Sequence, residues 1–411
     1  MKTYKRLYDK CLDKEYIKAE ILVAAKGKRK RKDVVRTLAN IDRYVDKIYE
    51  ILLTESYKPH LPRETVISEG TRPKKRIIRK IRFFDQIIHH IVIDACKDVF
   101  MQGMYVYCCG SVPGRGIHYG KKYIERWVQT DFKNTKYCAQ MDIRHYFESV
   151  DHEVLKRRLR KRIADKRMLW LLDTIIDSGG EGIPLGFYTS QWFANYLLED
   201  LDHYIKEQLH VKYYVRYLDD MVIFGRNKKE LHRARAAIAE HLEKELNLQM
   251  KGNWQLFRMV YTDRNGKERG RALDFLGFRF YREKTILRKS LMLRITRTAG
   301  RISRKKKPTV YDAASMLSYM GWITNSDSYL MYESRIKPQI EVKQLKEIVS
   351  RHSRKGEKIK NAEIKNHCSM NYGDARTNYH CWGGFWQPAE GVGEDAHRQC
   401  YNCKFYIAGE K

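Results

Sequence analysis

The four residues Tyr217-Leu218-Asp219-Asp220 constrain this chain more than any other stretch. They set two adjacent carboxylates inside a strand-forming run, Val211-Lys212-Tyr213-Tyr214-Val215-Arg216 before and Met221-Val222-Ile223-Phe224-Gly225 after. Aromatic and β-branched residues on both sides of a short acidic tip predict a β-hairpin. Two anions at one tip repel each other, so a fold keeps them together mainly when a cation sits between them. Asp-Asp is also an ordinary turn sequence, and the pair alone does not separate the two readings. A third carboxylate does: Asp142 follows the strand-like run Tyr137-Cys138-Ala139-Gln140-Met141. Three aspartates at strand ends in a basic chain point to two divalent metals acting on phosphate.

The basic character is pronounced. Lys and Arg total 81 against 50 Asp and Glu in 411 residues, a formal net charge of +31. That excess implies a long polyanion as partner. No apolar run approaches the length of a bilayer span, so no membrane partner is expected. The N-terminal Met1-Lys2-Thr3-Tyr4-Lys5-Arg6 lacks the apolar core of a signal peptide, so a cytoplasmic protein is expected.

Five cysteines, Cys11, Cys96, Cys108, Cys109 and Cys138, are scattered and predict reduced, packed thiols. Cys368, Cys381, Cys400 and Cys403 lie together near the end. The two-residue gap of Cys400-Tyr401-Asn402-Cys403 lets both thiolates reach one tetrahedral zinc, with Cys368 and Cys381 as partners. His367, His380 and His397 are alternative ligands, and packed thiols or a redox dithiol are the competing uses of these cysteines.

The chain length allows two or three domains. Residues 1–60 read as a basic helical extension that includes the charged run from Lys26 to Lys32. Residues 61–284 hold the strand signals, the apolar helix Ile87-Ile88-His89-His90-Ile91-Val92-Ile93 and all three carboxylates. Residues 285–360 turn helical and basic again, with Arg301, Arg304, Lys305, Lys306 and Lys307. Residues 361–411 are rich in Gly, Asn, Trp and Cys. The class is α/β in the α+β sense.

Two segments have the makings of walls for a site. Phe147 lies five residues past Asp142, where a ring can press on an incoming sugar and exclude a 2′-hydroxyl, or simply pack in the core. Gly182-Ile183-Pro184-Leu185-Gly186-Phe187-Tyr188-Thr189-Ser190-Gln191 leads into a helix that Ser190-Gln191 is expected to cap. Phe193, Leu197, Leu201 and Ile205 then recur at helical spacing and mark its buried face.

Taken in order, these elements resemble the reverse transcriptases. The Asp142 segment resembles their first carboxylate motif, and Tyr217-Leu218-Asp219-Asp220 their Tyr-x-Asp-Asp signature. Phe275-Leu276-Gly277-Phe278 is similar to their primer-gripping turn, and Arg76-Ile77-Ile78-Arg79 with Asp85 to their fingers motif. Pro113-Gly114-Arg115-Gly116-Ile117-His118 resembles the glycine-rich element of bacterial members. The resemblance implies a right-hand polymerase, with fingers and palm over residues 61–284, a helical thumb over 285–360 and a small Cys-containing segment after it. It implies RNA-directed DNA synthesis with two Mg²⁺ ions held by Asp142, Asp219 and Asp220 and the carbonyl of Ile143. Arg76 and Arg79 would meet the nucleotide triphosphate, and Phe147 and Gln191 would border the nucleotide and the templating base. Template RNA, an RNA–DNA hybrid and deoxynucleoside triphosphates are the implied partners. The family's leaving-group lysine has Lys251 as its nearest counterpart, where a solvated lysine is expected.

One departure narrows the resemblance. Most reverse transcriptases carry Gln-Gly-x-x-x-Ser-Pro where this chain has Leu185-Gly186-Phe187-Tyr188-Thr189-Ser190-Gln191. That pattern resembles the enzymes of diversity-generating retroelements. Those copy a template-repeat RNA with errors opposite adenine, for mutagenic retrohoming into a variable repeat, alongside a basic accessory variability protein. A retron, an intron maturase or an abortive-infection polymerase is the alternative enzyme. An inactive RNA-binding scaffold is the non-enzyme alternative, and the intact carboxylates argue against it.

Overall fold

The computed structural model describes residues 3–69 and 74–352. The chain divides into two compact units, Met1–Leu345 and Lys346–Lys411. Within the second, residues 346–352 are helical. The expected zinc ligands Cys368, Cys381, Cys400 and Cys403 lie outside the described residues.

The first unit opens with three helices, α1 (Lys14–Ala25), α2 (Lys32–Ala39) and α3 (Ile41–Leu53). The Asp13 carboxylate accepts from the Glu15 and Tyr16 amides and starts α1. Ile17, Ile21, Ala24 and Ala25 form one buried stripe on it. A basic hairpin follows, β1 (Arg63–Glu69) against β2 (Lys74–Lys80). Next come α4 (Phe83–Ala95) and α5 (Lys97–Gln102), then α6 (Ile117–Thr130). α4 is apolar nearly all round because it is enclosed: Ile87, Ile88, Ile91 and Val92 are buried, and the Tyr16 hydroxyl donates to the Ile91 carbonyl.

The sheet that carries the acidic hairpin is made of β3 (Tyr137–Met141), β4 (Tyr213–Tyr217), β5 (Asp220–Gly225) and β6 (Gln255–Arg258), in the order β4-β5-β3-β6. Every neighbouring pair is antiparallel, with Met141 opposite Met221 and Gln140 opposite Gln255. Between β3 and β4 run α7 (Tyr146–Ser149), α8 (His152–Arg162), α9 (Lys166–Asp177), α10 (Ser190–Leu197) and α11 (Glu199–His203). α12 (Lys228–Leu246) follows β5 and buries Leu231, Ile238, Leu242 and Leu246. Phe193, Leu197, Leu201 and Ile205 are all buried, as their spacing predicts.

Beyond β6 a two-residue pair, β7 (Tyr261–Thr262) and β8 (Glu268–Arg269), precedes a small sheet of order β11-β10-β9. Its strands are β9 (Leu273–Phe275), β10 (Phe278–Phe280) and β11 (Thr285–Leu287). Helices α13 (Lys289–Ser303), α14 (Val310–Thr324) and α15 (Tyr329–Arg335) complete the unit, α14 starting in a Thr309–Asp312 capping box. Cys11, Cys96, Cys108, Cys109 and Cys138 are buried free thiols, as expected. No helix among the described residues is long and apolar enough to cross a membrane.

Candidate active site

Tyr217 pairs with Asp220 across the hairpin, leaving Leu218 and Asp219 as the turn. Leu218 has φ +56°, a left-handed conformation that glycine usually supplies at such a position. A buried network holds it there. The Arg216 guanidinium donates to the Leu218 carbonyl at 3.1 Å and to Asn195 Oδ1 at 3.1 Å. It also pairs with Asp202 at 2.5 Å, both side chains fully buried. Tyr214 adds its hydroxyl to Asp202, and Asn195 reaches back to the Gly110 carbonyl. Gly110 presses on the turn from behind; a Cβ there would meet the Leu218 nitrogen at 2.7 Å. The segment before Pro113-Gly114-Arg115-Gly116 therefore braces the acidic tip.

Asp142 immediately follows β3, and the Met141–Met221 register carries it alongside Asp220. Burial first, then the neighbouring Asp142 and Asp220 carboxylates, push Asp219 up to about 7. Asp220 is open to solvent on one side, yet the protein atoms around it and the charge of Asp142 still push it up to about 6. Neither Asp219 nor Asp220 has a basic partner at ion-pair distance among the described residues. Asp142 has one: Lys251 Nζ lies 2.7 Å from its Oδ2, and the Lys251 amide donates to the Asp142 carbonyl. The expectation of a solvated Lys251 is thereby corrected. An antiparallel bridge between Ile143 and Met250 delivers the lysine to the carboxylate, 109 residues away in sequence. In that pairing the bonds run from Arg144 and Lys251, so the Ile143 carbonyl points away from Met250.

Among the described residues no group of three or more His, Cys, Asp or Glu is arranged to hold a metal ion. Lys251 occupies one oxygen of Asp142. The donor chemistry nonetheless fits Mg²⁺: all-oxygen ligands, with two crowded carboxylates short of positive charge.

The walls come together as well. Phe147 is half-buried, and its carbonyl accepts from the Ile183 amide at 2.7 Å. Gly182 has to be glycine, because a Cβ would lie 2.3 Å from the Phe147 oxygen. The following loop is tied to the fingers hairpin, the Arg79 amide donating to the Leu185 carbonyl at 2.8 Å. The Arg79 side chain pairs with Glu64 and donates to the Gly179 carbonyl, so here it braces the loop. Arg76 is exposed on β2, opposite Ile67. Asp85 is buried, bonded by Tyr57 and His60. Ser190 does not cap α10; its hydroxyl turns back to the Pro184 carbonyl at 2.7 Å, and Thr189 takes the cap position without a side-chain bond to the helix amides. Gln191 is exposed in the first helical turn. The loop also leans on α4: Tyr188 stacks on His90 at 3.9 Å, Phe187 meets His89 edge-on at 5.2 Å, and Thr189 contacts His89.

On the far side, Phe275-Leu276-Gly277-Phe278 turns between β9 and β10, with Leu276 at φ +53° and Gly277 at φ +84°. Trp322 of α14 fills the space above Gly277, where a Cβ would lie 2.8 Å from its ring. Gln140 of β3 donates to the Asp274 carbonyl, joining this turn to the carboxylate sheet.

Residues 68–280 match the family described as reverse transcriptase (RNA-dependent DNA polymerase). Protein YkfC of Escherichia coli is 26% identical over 169 residues, 38% of this chain and 44% of that protein. The retron Ec73 reverse transcriptase of Escherichia coli is 31% identical over 109 residues, 23% of this chain and 34% of that one. The group II intron-encoded protein LtrA of Lactococcus lactis is 25% identical over 179 residues, 41% and 29%. The matched stretches thus span less than half the length of each relative. Among solved structures, the telomerase of Candida albicans, with a fragment of telomeric RNA, is similar at TM-score 0.41 and 11% identity, over 68% of this chain and 56% of that one. The family match covers just over half of the 411 residues and takes in both strand-end carboxylate motifs. The chain belongs to the reverse transcriptase family.

Proposed function

We propose that the chain is an RNA-directed DNA polymerase whose site is the Asp142, Asp219 and Asp220 cluster. The observation that carries this reading is the convergence of these carboxylates, with Lys251, at one end of the β4-β5-β3-β6 sheet. Asp142 and Asp219 would hold Mg²⁺, with Asp220 and the Ile143 carbonyl assisting. Metal held by these residues would supply Lewis-acid chemistry, lowering the pKa of a primer 3′-hydroxyl and neutralising charge on pyrophosphate. Lys251, already charged and paired with Asp142, is placed to give a proton to that leaving group. Phe147 borders the sugar, and Arg76 stands on the fingers hairpin for the triphosphate. Template RNA, its hybrid with the new strand and deoxynucleoside triphosphates are the substrates. The test is primer extension by an Asp219→Ala/Asp220→Ala variant: extension falls to background while RNA affinity, which comes from Lys and Arg, is retained. Substantial Mg²⁺-dependent extension by that variant would falsify the assignment.

The finer reading is an enzyme of a diversity-generating retroelement, error-prone at template adenines and working with a basic accessory protein. Its support is the Leu185–Gln191 pattern. Leucine cannot offer the hydrogen bonds that glutamine would at position 185, which removes a polar check on the base pair. Leu185→Gln is expected to lower misincorporation opposite adenine, read by sequencing the cDNA. Equal, low errors opposite all four bases favour the second reading, a retron- or intron-type enzyme, which the similarity to the retron Ec73 and LtrA proteins supports.

A further inference from the structure

A cleft of about 490 Å³ opens on the first unit at the opposite end of the carboxylate sheet. Lys136, on its wall, immediately precedes β3, and Asp142 immediately follows that strand. At ~3.3 Å per residue the two positions lie about 20 Å apart, so the cleft is separate from the polymerase site. Three chain segments build it. Phe132 and Lys136 come from the α6–β3 connection, Arg258 and Tyr261 from the β6–β7 corner, and Tyr281 and Lys284 from the β10–β11 turn.

One side chain locks these segments together. Arg282 donates to the Val260 carbonyl at 3.0 Å, to the Val128 carbonyl at 2.9 Å, and to Thr135 Oγ1 at 2.6 Å. Its guanidinium also lies 4.9 Å from the Phe132 ring centre. The cleft is therefore held open by a cation with no freedom to leave.

The lining alternates cations and rings. Arg258 lies 3.4 Å over Tyr261, and Lys284 lies 5.7 Å from Tyr281. No described carboxylate pairs with Lys136, Arg258 or Lys284, although Glu268 and Glu283 stand on the same lining. Phe132 keeps 57% of its surface in water, an apolar ring with Arg282 on one side and solvent on the other. Cations without a carboxylate partner, beside rings that each keep one face free of them, suit a flat, anionic ligand: bases stack on the rings and phosphates meet the ammonium groups. The polymerase chemistry uses none of these residues.

We propose that this cleft is a second nucleic-acid site, binding a short single-stranded stretch of RNA outside the polymerase centre. It rests on the proposed function only for the identity of the polyanion. Phe132, Tyr261 and Tyr281 supply the stacking faces; Lys136 and Lys284 supply the phosphate contacts.

Photocrosslinking of the full chain to a single-stranded RNA carrying iodouridine tests this. Crosslinks are expected on peptides containing Phe132, Tyr261 or Tyr281. Lys136→Ala/Lys284→Ala should lower the slope of log affinity against log salt by about 1.4, two contacts at ~0.7 each for a single strand. Extension of a short preannealed primer–template and the thermal midpoint should not change, because neither lysine side chain bonds a neighbouring segment and the Lys136 carbonyl that accepts from Met259 is kept in the variant. Arg258 and Arg282 stay in place because they hold the sheet edge. Crosslinks confined to other peptides, together with an unchanged slope, overturn the proposal and leave an acidic protein surface as the better occupant. A wild type that crosslinks in the cleft but extends no primer overturns the polymerase reading instead, so the two failures are distinguishable.

Discussion

Arg216 and Asp202 are the residues on which the acidic tip mechanically depends. The guanidinium is fully buried, and Asp202, Asn195 and the Leu218 carbonyl use its donors. Burial alone would disfavour the charge, and Asp202 more than offsets this, holding the arginine well above its ordinary range. Removing one partner from such a pair leaves the other charge unpaired in the core. Arg216→Met is expected to cost about 3–5 kcal/mol of stability, and Arg216→Met/Asp202→Leu to recover much of it. Urea unfolding of both variants measures this. Polymerisation should stay low in the double variant, because Leu218 loses the donor that holds its left-handed conformation. A fully active double variant would make the pair a matter of folding alone. In the sequence, Arg216 is one charge in a strand of aromatic and branched residues, and nothing local names its partner. The same holds for Lys251, whose carboxylate is reached only through the Ile143–Met250 bridge.

The loop from Pro184 to Gln191 is the element in which physical reading of the sequence goes least far. Its glycine was legible, as was Gly182 just before it, because both sit where chain crosses chain: a Cβ on Gly186 would lie 2.5 Å from the Arg79 oxygen. Its anchoring was not. The proline that most family members carry at position 191 would stiffen the chain little here, because Gln191 is already in the first turn of α10, where proline and other residues share one backbone geometry. What holds the loop is Arg79, Ser190 and the His89–His90 face of α4. That face carries a pH dependence. Burial, with His90 adding to it, pushes His89 down to about 3. The unfolded chain binds a proton near pH 6.5 that folded His89 refuses until about 3, so its stability contribution is full above ~6.5 and lost as pH falls between them. At ~1.4 kcal/mol per unit, the loss is about 2 kcal/mol by pH 5. His90, pushed down to about 4 by burial and by Lys28, loses stability over the same range, so His89→Gln removes only its own share and should make the fall in the urea midpoint between pH 7 and pH 5 shallower; an unchanged fall would place the dependence elsewhere. The hairpin, by contrast, was fully legible, since β4 and β5 fall on the two branched and aromatic runs flanking the aspartates.

At the scale of the whole molecule, the charge of +31 favours a polyanion as partner, and the structure divides the basic residues that could meet it. Composition alone treats Arg301, Arg304, Lys305, Lys306 and Lys307 as one basic cluster. The corner between α13 and α14 divides them. Lys305 Nζ lies 2.6 Å from Asp312 Oδ2, and Arg301 approaches the same carboxylate at 4.0 Å. Arg304 bonds back to the Gly300 carbonyl. Asp312 in turn bonds the Thr309 amide and closes the capping box that starts α14. Those cations hold the corner. Lys306 and Lys307 are exposed and have no partner among the described residues, so they are the pair available for phosphate. Neutralising both should cut the salt slope for a duplex substrate by about 1.8, two contacts at ~0.9 each, with the thermal midpoint unchanged. Lys305→Ala should do the reverse, lowering the thermal midpoint through Asp312 and leaving the slope nearly intact. Titrations of a labelled RNA–DNA hybrid at several salt concentrations decide it. A slope that follows Lys305 and ignores Lys306 and Lys307 would mean the corner opens when nucleic acid binds.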